Sequence, residues 1–215
     1  VAAGFDYLYD KVGMYDCLRD VMCGHRSASN ISQQWQATDD IREHILYFLE
    51  NHDEQRIASD FFCGNMQKGI PALIVSALFQ RNPVMIYAGQ EFGERGMDGE
   101  GFSGVDGRST IFDYWSVDAI RKGFFERSEL SAEQLQLEKD YRTILTLCNS
   151  EKAVSEGKTF DLTYANEANE SFDSSRLFAF LRSSGNTTLL IVANFGETAA
   201  HVRVNIPPMR SIIWS

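Results

Sequence analysis

The chain has 215 residues, which is enough for one large domain or two smaller domains with substantial cores. Its formal net charge of −10 argues against a nucleic-acid partner, which would select a basic surface. No apolar run approaches the roughly 20 residues that a membrane-spanning helix needs, so no membrane partner is expected.

The first 150 residues alternate between short apolar runs and stretches with helical spacing. Strands are predicted at 5–9, 45–49 and 83–88. Helices are predicted over 13–23, over 66–78, and from the capping box at 131–134 along a face formed by Leu137, Tyr141, Ile144 and Leu145. Polar or glycine-rich loops are predicted at 24–40 and 89–107. This order predicts a parallel sheet with crossover helices.

The pattern changes after about residue 150. Strands without intervening helices are predicted at 177–182, 188–195, 201–206 and 212–214, with a hairpin turn in the Ser-Ser-Gly-Asn segment 183–186. We therefore predict two domains. An α/β domain would occupy residues 1–150, and an antiparallel β-sandwich would occupy residues 151–215.

The segment FLENHDEQR, residues 48–56, is the most informative motif of the chain. It places an imidazole and a carboxylate, those of His52 and Asp53, directly after an apolar run that is predicted as a buried strand. A lone His-Asp pair is ordinarily part of an exposed polar turn. The strand before it and the βα unit after it favour a functional site, because parallel-strand barrels carry active sites at the carboxyl ends of their strands.

Other chemistry-bearing residues give weaker signals. Glu91 and Glu94 follow the third predicted strand and are expected at the same end of the sheet as Asp53. Glu91 is the better catalytic candidate by position, but a structural role is favoured over a catalytic one. Asp10 ends the first strand and is expected to cap a loop. The four cysteines show no CxxC spacing and are predicted to be small buried residues, without disulfides or zinc. No acidic or histidine cluster has metal-ligand spacing.

Four segments resemble the C-terminal part of the α-amylase family of glycoside hydrolases and transglycosylases. FLENHD resembles the end of the family's seventh barrel strand, and PVMIYAGQEFGE its eighth strand with the following loop. FDYLYDKVGMYDCLRDVM is similar to the sixth strand and helix, and LFAFLRSSGNTTLLIVANFG to the C-terminal antiparallel domain. The resemblance implies a partial TIM (β/α)8 barrel, strands six to eight with their helices, followed by an antiparallel β domain.

The resemblance also implies roles for three residues. Asp53 matches the family's third carboxylate, which hydrogen-bonds sugar hydroxyls and stabilises the transition state. His52 is expected to donate a hydrogen bond to the same sugar. Arg56 is expected to contribute to substrate binding and to orient Asp53 or lower its pKa. Asn51 is expected to fix the loop.

A retaining glycosidase also needs a nucleophile and an acid/base, which the family carries after its fourth and fifth strands. No segment of this sequence matches either one, so the isolated chain is expected to be inactive and to be part of a longer enzyme acting on α-1,4-glucans. Its expected partners are an α-glucan oligosaccharide or polysaccharide and the remainder of the barrel. No cofactor is expected in this chain, since the calcium ligands of family members belong to the other part.

Two alternatives to an amylase stay open at this point. The enzyme could be an α-glucosidase or transglycosylase, or the protein could be a non-catalytic homologue that serves as a glycan-binding or interaction scaffold. Several aromatic residues are expected either to contact sugar rings or to pack loops against the barrel. They are Phe92, Phe102, Tyr114, Trp115 and Trp35.

Overall fold

The computed structural model describes residues 4–99 and 105–208. A parallel sheet is formed in the order β1-β2-β3 by strands β1 (Leu8–Tyr9), β2 (Ile45–Phe48) and β3 (Val84–Met85). Leu8 pairs with Ile45, and Phe48 pairs with Met85, in parallel register. The three predicted strands are therefore present, and their parallel arrangement is confirmed.

Helices separate these strands and follow the last of them. In the described ranges the α-helices are α1 (Asp16–Met22), α2 (Asn30–Ala37), α3 (Gly69–Leu78), α4 (Asp118–Phe124), α5 (Ala132–Ser150), α6 (Lys152–Ser155) and α7 (Thr163–Asn166). None of the helices in this part of the chain has the length and apolar character needed to cross a bilayer.

Local hydrogen bonds explain where the predicted helices begin. At the start of α5, Ser131 Oγ accepts from the Gln134 amide at 3.2 Å, and the Gln134 side chain accepts from the Ser131 amide at 3.0 Å. Asp10 accepts hydrogen bonds from the amides of Gly13 and Met14, both at 2.9 Å, at the turn that leads into α1. The expected capping roles of the 131–134 box and of Asp10 are confirmed.

The second sheet is antiparallel, in the order β4-β5-β6, with strands β4 (Lys158–Asp161), β5 (Leu177–Ser184) and β6 (Thr187–Asn194). The pairing of Ser184 with Thr187 leaves a two-residue connection. Its first residue, Gly185, has a φ of +58°, which a residue with a side chain rarely adopts. The predicted hairpin turn is confirmed.

The largest apolar core includes residues from both parts of the chain. It contains side chains of α1, α3, α5 and β2, together with Phe178 and Phe180 of β5. Phe79 follows α3 directly, and its ring centroid lies 5.1 Å from that of Phe178 and 4.8 Å from that of Phe180. The antiparallel sheet is thus packed against the helices of the parallel sheet through a continuous core.

Several predicted elements differ from the structure. The loop predicted at 24–40 contains helix α2, and the residues after the glycine-rich loop include α4, which was not predicted. The apolar run at 83–88 contributes only Val84–Met85 to the ladder. A hydrogen-bonded strand needs a partner along its length, and β3 has its one described neighbour only over these two residues.

The predicted β-sandwich is also different. The described residues form one three-stranded antiparallel sheet there, including β4, which was not predicted. Residues 201–206 are not in a strand. Val202 and Val204 nevertheless pack against the apolar cluster on that sheet, so the predicted alternation of buried apolar and exposed polar side chains is partly correct. The strand predicted at 212–214 lies outside the described residues.

Candidate functional site

The loop that carries His52 and Asp53 is shaped by the side chain of Asn51. Asn51 Oδ1 accepts hydrogen bonds from the backbone amides of Asp53 at 2.8 Å and of Glu54 at 2.9 Å. Asn51 is itself buried. A side-chain oxygen that binds amides two and three residues later holds a tight turn at the end of the strand. The expectation that Asn51 fixes the loop is confirmed.

This turn directs the side chains of His52 and Asp53 outward. The His52 side chain is 54% exposed and that of Asp53 is 75% exposed, with 3.4 Å between His52 Nε2 and Asp53 Oδ2. Both residues follow β2, the central strand of the parallel sheet, at its carboxyl end. A carboxylate that can accept hydrogen bonds and an imidazole that can donate one are thereby exposed side by side.

Arg56 lies beneath this turn, in the interior of the protein. Its side chain is 1% exposed, and its Nη1 donates to Glu50 Oε2 at 2.7 Å. Its Nε donates to Ser109 Oγ at 2.9 Å, and its Nη2 donates to the Ala88 carbonyl at 2.8 Å. All three nitrogen atoms of the Arg56 guanidinium donate hydrogen bonds to other groups of the protein. Arg56 was expected to contact a sugar and Asp53 instead. Its position makes Arg56 a residue that holds the site together.

The partner of Arg56, Glu50, is the last residue before the Asn-His-Asp segment, and its side chain is 2% exposed. Its second oxygen accepts from the Ile57 amide at 2.8 Å. Burial raises the pKa of the Glu50 carboxyl, while the charge and hydrogen bond of Arg56 lower it. The ion pair between Glu50 and Arg56 thus joins the two ends of the loop.

The segment 105–109 folds back over the same loop. The Arg56 amide donates to the Gly107 carbonyl at 2.7 Å, and Arg108 Nε donates to the Asp53 carbonyl at 2.7 Å. Gly107 has a φ of +87°, and a Cβ there would lie 2.7 Å from Ser59 Oγ. Only glycine fits this close approach. The backbone of Asp53 is therefore fixed from two sides, while its carboxylate stays exposed beside His52.

A further set of contacts connects the loop to the first βα unit. Lys11 Nζ lies 3.2 Å from Glu54 Oε1 and 2.8 Å from Asp16 Oδ1. Tyr15 donates to Glu54 Oε2 at 3.3 Å, and its ring is stacked on Phe48 at 4.8 Å between centroids. The loops after β1 and β2 thus share one network at the carboxyl end of the sheet.

The other acidic candidates have local roles. Glu94 is buried, and it accepts a hydrogen bond from the Gly96 amide at 2.7 Å. Glu91 is half-buried, and burial raises the pKa of its carboxyl. Its Oε2 has no hydrogen-bond partner among the described residues. Within residues 4–99 and 105–208, no group of three or more His, Cys, Asp or Glu side chains is arranged to hold a metal ion.

The aromatic candidates divide between packing and exposure. Phe92 is buried with Ala119 and Leu130, and Trp35 belongs to the main core, so both have packing roles. Tyr114 and Trp115 are exposed, and their ring centroids lie 5.2 Å apart in an edge-to-face arrangement. They keep the surface that a sugar contact requires. Phe102 lies outside the described residues.

Two important residues did not emerge from the sequence. Glu50 stands at the end of an apolar run with an arginine six residues later, which is a signal for a buried ion pair across a turn. Arg108 lies in the glycine-rich segment, 55 residues from Asp53, and no local pattern connects the two.

The comparisons with known proteins rest on structure alone. No protein-family model and no curated protein sequence matches this chain. The maltogenic α-amylase AmyB from Thermotoga neapolitana matches 90% of the chain with a TM-score of 0.59 and 19% identity. AmyP, in complex with maltose, matches 88% with a TM-score of 0.60 and 16% identity. The γ-CGTase from alkalophilic Bacillus clarkii matches 85% with a TM-score of 0.53 and 19% identity.

The described fold is therefore similar to that of α-amylase family enzymes, as the sequence resemblance implied. The chain spans 39% of AmyB, 40% of AmyP and 23% of the γ-CGTase, so it corresponds to less than half of each. What it shares with them is the combination of a parallel βα part and an antiparallel sheet.

Proposed function

We propose that this chain is the C-terminal part of a retaining glycoside hydrolase that acts on α-1,4-glucans, with β1 to β3 as strands six to eight of a (β/α)8 barrel. The observation that carries the proposal is the pair His52 and Asp53, held exposed at the carboxyl end of the central parallel strand. AmyP, which has the same fold over this length, is a maltose complex, and this supports an α-glucan ligand.

Asp53 acts in this proposal on the sugar at the cleavage point. Its carboxylate accepts hydrogen bonds from two ring hydroxyls, and these bonds strengthen as the ring flattens toward an oxocarbenium ion. His52, 3.4 Å away, donates a hydrogen bond to a neighbouring oxygen of the same ring. Arg56 is a positioning residue, because it pairs with Glu50 below the turn and touches no solvent.

The remainder of the barrel is the proposed protein partner of this chain. Strand β1 has a described neighbour on one side only, and so has β3. Phe5, Tyr7 and Tyr9, in and before β1, are exposed. Open strand edges beside exposed aromatic side chains favour pairing with further strands. Those strands would bring the nucleophile and the acid/base.

The test compares this chain with a longer polypeptide that includes the upstream part of the enzyme. The chain alone is expected to release no reducing sugar from starch, because it lacks the two carboxyl groups that retention requires about 5 Å apart. The longer polypeptide is expected to be active. Asp53→Asn in that polypeptide is expected to lower kcat about 10²- to 10³-fold with a smaller change in KM, since the lost interaction belongs to the transition state.

Asp60→Asn is the matched control for this experiment. Asp60 also follows β2 and is exposed, but its partner is Arg95, at 3.1 Å. We expect the kcat of the Asp60→Asn enzyme to stay within a factor of two of the parent value. Starch hydrolysis by the chain alone, or equal activity of the parent and the Asp53→Asn enzyme, would contradict the proposal.

A transglycosylase is the second candidate, because the γ-CGTase shares this fold at a similar TM-score. Product analysis of the longer polypeptide separates the two, since a hydrolase yields short linear sugars and a transglycosylase yields rearranged or cyclic ones. A scaffold protein is disfavoured by the paired exposure of His52 and Asp53, which an interaction surface does not need. Inactivity of a longer polypeptide in both assays would favour the scaffold.

A further inference from the structure

Two cysteines that are 40 residues apart in the sequence lie together in the fold. Cys23 Sγ and Cys63 Sγ are 3.8 Å apart. Cys23 follows α1 directly, and Cys63 lies in the segment between β2 and α3. Both are half-buried, so a small reagent can reach them. We propose that Cys23 and Cys63 form a reversible intramolecular disulfide when the protein meets an oxidant of the disulfide or peroxide class.

Contacts around the sulfur atoms hold the pair in place. The Arg19 guanidinium lies 4.2 Å from the centre of the Phe62 ring, and Arg19 Nη2 donates to the Phe61 carbonyl at 3.4 Å. Cys23 Sγ lies 3.8 Å from the Phe62 carbonyl oxygen. The end of α1 therefore already binds residues 61–63 without a covalent link.

The segment that carries Cys63 is also ordered internally. The Cys63 amide donates to the Ile57 carbonyl at 3.1 Å, and the Gly64 amide donates to the Ser59 carbonyl at 2.9 Å. A disulfide requires the sulfur atoms to approach to about 2.05 Å, which is less than 2 Å closer than they are. In this proposal rotation of the two side chains supplies the change, the Cys23 thiol gives up its contact with the Phe62 carbonyl, and the backbone hydrogen bonds of Cys63 and Gly64 persist.

The other two cysteines differ from this pair. Cys17 is fully buried in the main core. Cys148 Sγ contacts the carbonyl oxygen of Ala77, a residue of α3, at 3.1 Å. Neither has a described sulfur neighbour, so they serve as internal controls for selectivity.

The reaction balances with glutathione disulfide as the oxidant. One protein thiol loses its proton and attacks a glutathione sulfur, which breaks the glutathione disulfide bond and releases one glutathione thiolate. The second protein thiol then loses its proton and attacks the protein sulfur of the mixed disulfide. This step forms the Cys23–Cys63 bond and releases the second glutathione. Two protein thiols are oxidised, and one glutathione disulfide is reduced to two thiols.

The bond would connect α1 to the segment that immediately follows the His52–Asp53 loop. It would close a covalent ring that includes α2 and β2, which lowers the entropy of the unfolded chain. The oxidised protein is therefore expected to melt about 5–10 °C above the reduced protein. This inference does not depend on glycosidase activity, because its readouts are mass, thiol content and Tm.

The test treats the purified polypeptide with glutathione disulfide at mildly alkaline pH, because burial raises the pKa of the Cys63 thiol to about 12 and slows exchange in neutral solution. We expect a monomer whose mass is lower by two hydrogen atoms, a peptide map that links residues 23 and 63, and reversal by a dithiol reductant. Cys17→Ser and Cys148→Ser are expected to form the same internal linkage and to show the same gain in Tm on oxidation as the parent protein.

Two further variants make the outcome decisive. Cys23→Ser and Cys63→Ala are expected to lose both the internal linkage and the gain in Tm, while their reduced forms melt close to the reduced parent. Four titratable thiols after oxidation, linkage to Cys17 or Cys148, or cross-linked dimers in place of the internal bond would each overturn the proposal.

Discussion

Replacement of Arg56 by methionine is expected to lower the free energy of unfolding by about 3–5 kcal/mol. Methionine removes the cation but keeps much of the side-chain volume, so the buried Glu50 carboxylate loses its partner at 2.7 Å. An unpaired charge in the protein interior costs more than the ion pair itself contributes. Urea unfolding of the parent and variant, followed by circular dichroism, measures the difference.

Two matched variants separate the charge from the other contacts of Arg56. The double variant Glu50→Leu with Arg56→Met leaves no unpaired charge and is expected to recover most of the lost stability. Arg95→Met breaks an exposed pair with Asp60 and is expected to cost less than about 1 kcal/mol. A double variant as unstable as Arg56→Met would show that the contacts with Ser109 and Ala88 matter more than the charge.

The same variant has a pH dependence with a definite sign. Burial already raises the pKa of Glu50 in the folded protein, and loss of Arg56 removes the charge that lowers it. A carboxyl whose pKa is higher in the folded state makes folding less favourable as it ionises. The destabilisation of Arg56→Met is therefore expected to grow as pH rises above the ordinary glutamate pKa of about 4.3. A constant difference from acidic to neutral pH would contradict this account.

Truncation of Phe79 to alanine is expected to cost about 3–5 kcal/mol of unfolding free energy. The Phe79 ring is fully buried and lies within 5.1 Å of the rings of Trp35, Phe178 and Phe180. Alanine would leave a cavity between α3 and the antiparallel sheet, where these three rings now meet. Denaturant unfolding and thermal melting both measure the loss.

Phe125→Ala removes the same atoms from a site where the ring is exposed to solvent, and we expect a change within about 0.5 kcal/mol. If Phe79→Ala were no more harmful than this control, the two parts of the chain would not depend on a shared core. A separate unfolding transition of the antiparallel sheet in Phe79→Ala would instead show that the aromatic contacts couple the two parts.

The sequence predicted the strands and helices that have strong apolar periodicity. The three parallel strands, α3 and α5 are of this kind, and the 183–186 hairpin was predicted from its turn residues instead. Helix α2 was missed because Asn30–Ala37 is mostly polar, and only Ile31 and Trp35 mark its buried side. Strand β4 was missed because it is only four residues long and its one large apolar side chain is Phe160. Short elements depend on tertiary contacts that local pattern does not contain.

Only those parts of the candidate site that depend on local sequence were predicted. His52, Asp53 and the role of Asn51 follow from their place after an apolar strand. The resemblance implied that Arg56 orients Asp53, whereas the structure pairs Arg56 with Glu50 across the turn. The hydrogen bonds between Arg56 and Ser109 and between Arg108 and Asp53 join residues that are more than 50 positions apart in the sequence. Local sequence patterns cannot predict contacts of this kind.

The partners of Arg56 also set an order of events during synthesis. Glu50 is made before Arg56, but Ala88 is made later, and Ser109 follows Arg56 by 53 residues. The ion pair can therefore form, in contact with water, before the groups that enclose it have been synthesised. Its enclosure waits until the ribosome has delivered the third strand and the segment 105–109. The loop that presents Asp53 thus reaches its final shape late, and a stall between residues 56 and 109 would leave a charged pair only partly enclosed.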